Sequence, residues 1–367
     1  MRVNRYNYHQ QFGQGVDVLV GELRDMLLDG RYILSEEVRQ FEKAYANFLG
    51  LRHARGTNTG TDAIAVTLMA LGIGQGDEVI TQANTFNATV TAIRMAGAVP
   101  VLVDANEKSF LMEVSQVPAA VTSRTRALIP VHLYGKPTPM LPLVDIAKRL
   151  GIHVVEDAAQ AHGARIDGRR IGTFGIASCF SFHPSKNLAA AGDAGAVVTD
   201  DEGLAQRIDT VRSLGQRSQN DHVVHGVNSK LDAFQARILS WKLPHLDEWN
   251  CQRRTVAGWY RERLSHLPVS FQSEDPNEEH VYHLFQVRTD RRDALLRHLV
   301  KAGVDVVVRY PTPIHMQEAF SNCGWRTGQF LVAERLANEL LCLPIRPDLS
   351  LSDVDYVTDC VRSFFLG

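Results

Sequence analysis

The sequence predicts an α/β protein, with a mostly parallel sheet wound on both sides by helices and a smaller α+β domain at the carboxyl end. Three observations carry this. Short apolar runs alternate with helical stretches from residue 60 to 199, which is the pattern of repeated strand–helix units. A polar, proline-containing segment at 273–279 (SEDPNEE) then interrupts the chain, and a second alternating stretch follows it. Finally, 367 residues exceed what one small core accommodates, so two domains are expected.

Taken in order, the strand candidates of the large domain are 78–81, 99–103, 127–132, 153–156, 177–182 and 196–199. Between them, 61–71, 87–96, 141–150 and 203–214 place apolar residues at three- and four-residue spacing and read as helices. A long helical stretch over 231–264 leads out of this domain, and 283–287 and 305–308 read as strands of the small one. The expected division is a large domain over 1–248, with an amino-terminal arm and helix, and a small α+β domain over 249–367.

Composition excludes several classes of function. With 39 basic and 41 acidic residues the net charge is −2, so no global field draws the protein to nucleic acid or an anionic membrane. The five cysteines are scattered and contain no C-x-x-C pair, which supports neither a disulfide framework nor a zinc knuckle. No signal peptide and no long apolar run is present, and a cytoplasmic protein is expected. No metal spacing and no nucleophile elbow occurs. The glycines at 72, 74 and 76 fall between a helix and a strand, the wrong order for a dinucleotide fingerprint.

Chemistry concentrates at two strand ends. In HVVEDAAQAHG (153–163) a run of β-formers ends in Glu156 and Asp157, at the edge where open α/β sheets bind ligands. In SFHPSKN (181–187) another strand runs into Lys186. A lone loop lysine is ordinarily a solvated charge. Here Pro184 shapes the turn, Ser181 offers a hydroxyl, and the small residues of 189–196 (AAAGDAGA) let backbone approach a flat ligand. A desolvated lysine can attack a carbonyl, and an acid under a pyridine nitrogen keeps that ring an electron acceptor. Residues 56–62 (GTNTGTD) precede a helix and offer free amides to a phosphate, although a simple N-cap reads the same way. Phe86, in ANTFNA (83–88), is a core residue by default or a platform for an aromatic ligand.

These segments resemble the sugar aminotransferases named after DegT, DnrJ and StrS, within fold type I of the pyridoxal-phosphate (PLP) transferases. The likeness runs nearly end to end: 30–42 (GRYILSEEVRQFE), 60–62 (GTD), 129–135 (IPVHLYG), 155–163, 181–187, 192–199, 226–235 (GVNSKLDAFQ) and 310–317 (YPTPIHMQ) all take part. The resemblance implies that Lys186 carries the cofactor as an imine and moves protons, while Asp157 pairs with the ring nitrogen. It implies that Gln160 meets the ring hydroxyl, Phe86 stacks on the ring, and Gly60, Thr61 and Ser181 hold the phosphate. Asn228 would reach the cofactor of a neighbouring subunit, making a homodimer with shared sites. His183, Lys230, Arg309, Tyr310 and His315 are the substrate candidates. Lys230 stands where the family usually has arginine, Arg309 where it commonly has histidine, and Ala189 and Ala194 where glycine is frequent.

The implied activity is transfer of an amino group, with L-glutamate as expected donor, onto a keto group of a nucleotide-linked deoxysugar of dTDP, UDP or GDP type. The cofactor would alternate between PLP and its aminated form (PMP). Within the family the rivals are a cyclitol or keto-inositol aminotransferase and a sugar dehydratase, which carries histidine where this chain has Lys186. From other classes, a nicotinamide-dependent sugar oxidoreductase or a non-catalytic regulator would share the layout without needing both Lys186 and Asp157.

Overall fold

The computed structural model describes residues 1–367, the side chain of Gln14 excepted. Its central sheet has seven strands: β1 (His53–Thr57), β2 (Glu78–Gln82), β3 (Val99–Val103), β4 (Thr125–Leu128), β5 (His153–Asp157), β6 (Ala177–Ser181) and β7 (Gly195–Thr199). They lie in the order β1-β7-β6-β5-β4-β2-β3. Every neighbouring pair is parallel except the two that involve β7, so this strand alone runs against the rest.

Period-two alternation sends successive strand residues into two different cores. Val79, Val155 and Val197 pack with Ala63, Ile64 and Ile93 on one side, under helices α1 (Gly60–Ala70) and α2 (Asn87–Met95). Ile80, Val154 and Val198 pack on the other with Phe41, Tyr45, Phe180 and Leu239. Both faces are therefore covered, which is why these strands read as apolar runs.

The expected 231–264 helix is two helices, α3 (Ala233–Lys242) and α4 (Leu246–Leu264), divided by a tight turn at Pro244. Proline has no amide to continue the hydrogen-bond ladder. Likewise, the strand expected over 127–132 stops at Leu128, before Pro130, and Val131 resumes as a single bridge to Asp157. β1 was not expected from sequence, because HARGT carries little β-forming signal; pairing with β7 supplies it.

The carboxyl-terminal region has its own core, in which Val256, Tyr260, Phe285, Leu295 and Val357 pack together around a two-stranded sheet, β8 (Phe285–Arg288) with β9 (Leu340–Leu343). The strand expected at 305–308 amounts to a single bridge, Val307 with Cys342. The 248/249 boundary falls inside α4, whose Leu246 belongs to the large core and Val256 to the small one. The amino-terminal end also packs on the small domain: Val3 bridges Val304, and Arg5 pairs with Asp305 at 2.9 Å.

Candidate active site

Asp157 is the last residue of β5 and is 5% exposed. Its Oδ2 accepts from the Thr89 hydroxyl at 2.8 Å and its Oδ1 from the Ala159 amide at 3.2 Å. Burial pushes its carboxyl upward, while Thr89, Ala159 and the Lys186 charge pull the other way. Glu156, one residue earlier, faces the opposite side of the sheet. It accepts from the amides of Gly172, Phe174 and Gly175 at 2.7–2.9 Å and pairs with His132 Nε2 at 3.2 Å. Burial works against its charge, but His132 and these amides outweigh it and hold the carboxyl below its usual range. Thr138 donates to His132 Nδ1 at 2.9 Å, which leaves Nε2 as the proton-bearing atom towards Glu156. Glu156 thus anchors the loop before β6, and of the two carboxylates only Asp157 lines the open space beyond the strand ends.

Past β6 the chain doubles back. Phe182 donates to Ala194 O, Ala190 donates to Phe182 O, and the Lys186 amide closes a turn on His183 O, each at 2.8 Å. Asn187 then ties the loop down through Asn250 Oδ1 at 2.9 Å and Val281 O at 2.8 Å. Burial drives the Lys186 amine down to about 8; Asp157 opposes this and Arg309 adds to it.

An anion cradle forms where α1 begins. Thr59 caps the helix by accepting from the Asp62 amide at 2.9 Å, so the Gly60 and Thr61 amides have no partner within the helix. A side chain at Gly60 would stand 2.6 Å from Ser181 Cβ, and one at Gly195 would stand 2.3 Å from Thr59 O. Only glycine lets these segments meet. Ser181 is itself held from behind: its carbonyl accepts from His162 Nε2 at 2.8 Å, and Tyr45 Oη lies 2.8 Å from His162 Nδ1.

One cavity of about 440 Å³ brings these pieces together, lined by Gly60, Thr61, Phe86, Asp157, Gln160, Ser181, His183, Lys186, Arg309 and Tyr310 among others. Phe86 is 47% exposed and so is no core residue; it stacks on Tyr310 with ring centres 5.0 Å apart. Gln160 is clamped between the Tyr134 amide at 2.7 Å and Tyr310 Oη at 3.1 Å. Three candidates lie elsewhere. Asn228 and Lys230 bond to each other outside the cavity. His315 is buried against Glu334 at 2.9 Å and the edge of Phe330, because Ile314 is pinned to Ala83 O and turns it away. Sequence reasoning missed Tyr6, Thr89 and His283, which also line the cavity. Thr89 had a signal, four residues after Thr85 on a helix start, where both face one side. Tyr6 had none, since only tertiary packing brings the arm there.

The lining fits pyridoxal phosphate: Asp157 for a ring nitrogen, Lys186 for its carbonyl, the α1 start for phosphate and Phe86 for the ring face. No cluster of metal-binding side chains exists among the described residues, and no helix is long and apolar enough to cross a membrane. The fold is similar, at a TM-score of 0.96 and 42% identity, to Streptomyces venezuelae DesV in complex with a ketimine intermediate, covering 99% of this chain and 98% of that one. It is also similar to NtdA of Bacillus subtilis with bound cofactor PMP, at a TM-score of 0.93 and 31% identity over 100% of this chain and 86% of that one. The protein is a PLP-dependent aminotransferase of fold type I. Residues 17–362 match the model of the DegT/DnrJ/EryC1/StrS aminotransferase family, and the chain belongs to that family. A curated relative, 44% identical over 340 residues (92% of this chain, 90% of the relative), is the dTDP-3-amino-3,4,6-trideoxy-alpha-D-glucose transaminase of Streptomyces venezuelae.

Proposed function

We propose that this enzyme transfers the amino group of an amino acid, L-glutamate in the first instance, onto the keto group of a nucleotide-linked keto-deoxysugar, for amino-sugar biosynthesis. The observation that carries the reading is the opening of Lys186 and Asp157, from two different strand ends, into one cavity. The 44% identical dTDP-sugar transaminase supports the substrate class, and favours it over a cyclitol. Lys186 also argues against a dehydratase.

Pyridoxal phosphate, when bound, supplies an electron sink for negative charge developing on the substrate carbon. Asp157 would hold a protonated ring nitrogen, since a cation beside it favours the ionised carboxylate against the upward push of burial. Thr89 and the Ala159 amide hold that carboxylate in place. Lys186 Nζ holds the cofactor between turnovers and carries the proton to and from the substrate carbon. Gly60, Thr61 and Ser181 would hold the phosphate, and Phe86 would pack on the ring. The same residues would hold the cofactor in both its PLP and its PMP form. Asn228, exposed on the 226–230 loop, reaches the site of a second copy in a homodimer.

The test is spectroscopic. Purified protein should be yellow, lose its visible band on addition of L-glutamate, and regain it with a dTDP- or UDP-linked keto-sugar. A colourless protein that ignores added pyridoxal phosphate sinks the reading, and recovery only with keto-cyclitols moves the substrate class.

A further inference from the structure

Behind the anion cradle a buried hydrogen-bond chain ends on Ser181. β5 stops at Asp157, and the last bond from its end across to β6 is the Ala158 amide to Cys179 O at 2.9 Å. Carbonyls two residues apart on a strand point the same way, so Ser181 O faces that same edge beyond the end of β5. His162, on the chain that has just left β5, fills the gap. Its Nε2 lies 2.8 Å from Ser181 O, and its Nδ1 lies 2.8 Å from Tyr45 Oη.

The direction of both bonds follows from the chemistry of the two ends. A carbonyl only accepts, so Nε2 carries the proton. His162 is fully buried, and burial, aided by the Lys186 charge, outweighs the bond to Ser181 and pushes the ring down to about 3. The neutral ring then has a bare Nδ1, which only accepts, and Tyr45 must donate to it. Burial keeps the proton on that hydroxyl by pushing it far up. Every polar atom of the chain thus has its partner.

Packing fixes the same strand end. Tyr45 lies one turn after Phe41 on the helix Glu36–Leu49, so the two share a face. Its ring meets Phe180 and Phe182 edge-on with centres 5.2 Å apart in each case, and the His162 ring lies 5.2 Å from the same two. These are the chain neighbours of Ser181, and alternation along the strand turns the serine side chain to the other face, where the cavity lies. There a side chain on Gly60 would stand only 2.6 Å from Ser181 Cβ. Ser181 cannot move towards Gly60 without displacing the start of α1, and a move away opens the cradle.

We infer that Tyr45 and His162 are positioning residues for the cofactor phosphate: through the Ser181 carbonyl they hold the strand end at the spacing where the Ser181 hydroxyl and the Gly60 and Thr61 amides meet one phosphate. The inference rests on the placement of that phosphate at the start of α1. It extends the cofactor site to a helix none of whose residues lines the cavity.

The experiment is titration of the apoenzyme with pyridoxal phosphate and, separately, with pyridoxal, which has the same ring and aldehyde but no phosphate; the visible band reads both. The wild type is compared with His162→Leu, His162→Gln and Tyr45→Phe. His162→Leu leaves the Ser181 carbonyl unpaired and should cut the preference for pyridoxal phosphate over pyridoxal about 10-fold, the scale of one orphaned buried acceptor. His162→Gln, whose amide donates at similar reach, should keep that preference within about 3-fold of the wild type. Tyr45→Phe should cut it about 3-fold, since the donor to Ser181 remains and only its own partner is lost. An unchanged preference in the Leu and Phe variants overturns the inference, as does an equal weakening of both ligands, which is what a merely structural role would give. A Gln variant no better than the Leu one overturns it too. Should the Leu variant not fold, Tyr45→Phe decides alone. A wild type that binds both ligands equally well overturns the placement of the phosphate and the inference with it, whereas one that gives a band with neither overturns the pyridoxal-phosphate reading, so the failures are told apart.

Discussion

Two lysines in this molecule, one buried and one partly exposed, have the same lowered basicity and different surroundings. Lys186 and Lys242 are both pushed by burial down to about 8. Lys242 is 1% exposed, donates to Ala189 O at 2.9 Å and Gln11 Oε1 at 3.1 Å, and lies 4.1 Å from the centre of the Phe12 ring. It ties the amino-terminal arm to the loop that follows Lys186. Lys186 instead lines the cavity that Asp157 also lines. A depressed amine therefore records desolvation only; an open space and a facing acid are what turn it to chemistry.

Substitution at the two positions should split them most widely. Lys186→Ala is expected to abolish the visible band and lower turnover by about 10⁴-fold or more, the scale of losing a group that acts in the chemical step. Lys242→Met should keep the band and most of the activity. A colourless Lys242→Met protein that is nonetheless folded by circular dichroism would erase the distinction.

Asp157→Asn comes next, with an expected loss of about 10²- to 10⁴-fold in turnover at unchanged thermal stability, since proton control at the ring nitrogen disappears. Its second effect sharpens the comparison. Asp157 raises the Lys186 amine against the effect of burial. Capture of added pyridoxal phosphate by the apoenzyme requires the neutral amine, so the wild-type rate should climb with pH and level off above about 8. In Asp157→Asn that midpoint should move to lower pH, measured by stopped-flow absorbance.

The smallest effect concerns stability. Lys242 has a folded value of about 8 against an ordinary 10.5. Below about 8 both folded and unfolded chains hold the proton, and the burial penalty is present in full. Between about 8 and 10.5 the unfolded chain holds more, so stability rises with pH there. In Lys242→Met this site's share of the rise is absent, while stability at pH 7 changes by only about 1 kcal/mol, because lost hydrogen bonds offset the relieved desolvation. Denaturant titrations of the apoenzyme at pH 7 and 10 read both.

What the sequence made legible was local. Asp157 and Lys186 could be placed because one closes a run of β-formers and the other follows one within a few residues, and strand ends of such sheets collect at one edge. Glu156 looked equivalent to its neighbour, and only the bonds it accepts from Gly172, Phe174 and Gly175 assign it to the loop. Motif likeness suggested His315 and missed His283, since which way a loop histidine turns is decided by contacts distant in sequence, here Ala83 for one and Gly135 for the other. The small domain was foreseen as α+β, but its claim on Val3 was not, because a bridge between residues 3 and 304 leaves no trace in either segment alone.

The adjacent carboxylates at the end of β5 carry a further implication for how such a chain can change. Their division of labour is enforced by nothing but pleat parity, since consecutive side chains leave a strand on opposite faces. Inserting a single residue between His153 and Glu156 would exchange them: the carboxylate that organises the 172–175 loop would be presented to the cavity, and the one matched to it would be driven into the core beside His132. An insertion within this strand should therefore cost far more than a substitution that keeps its pleat.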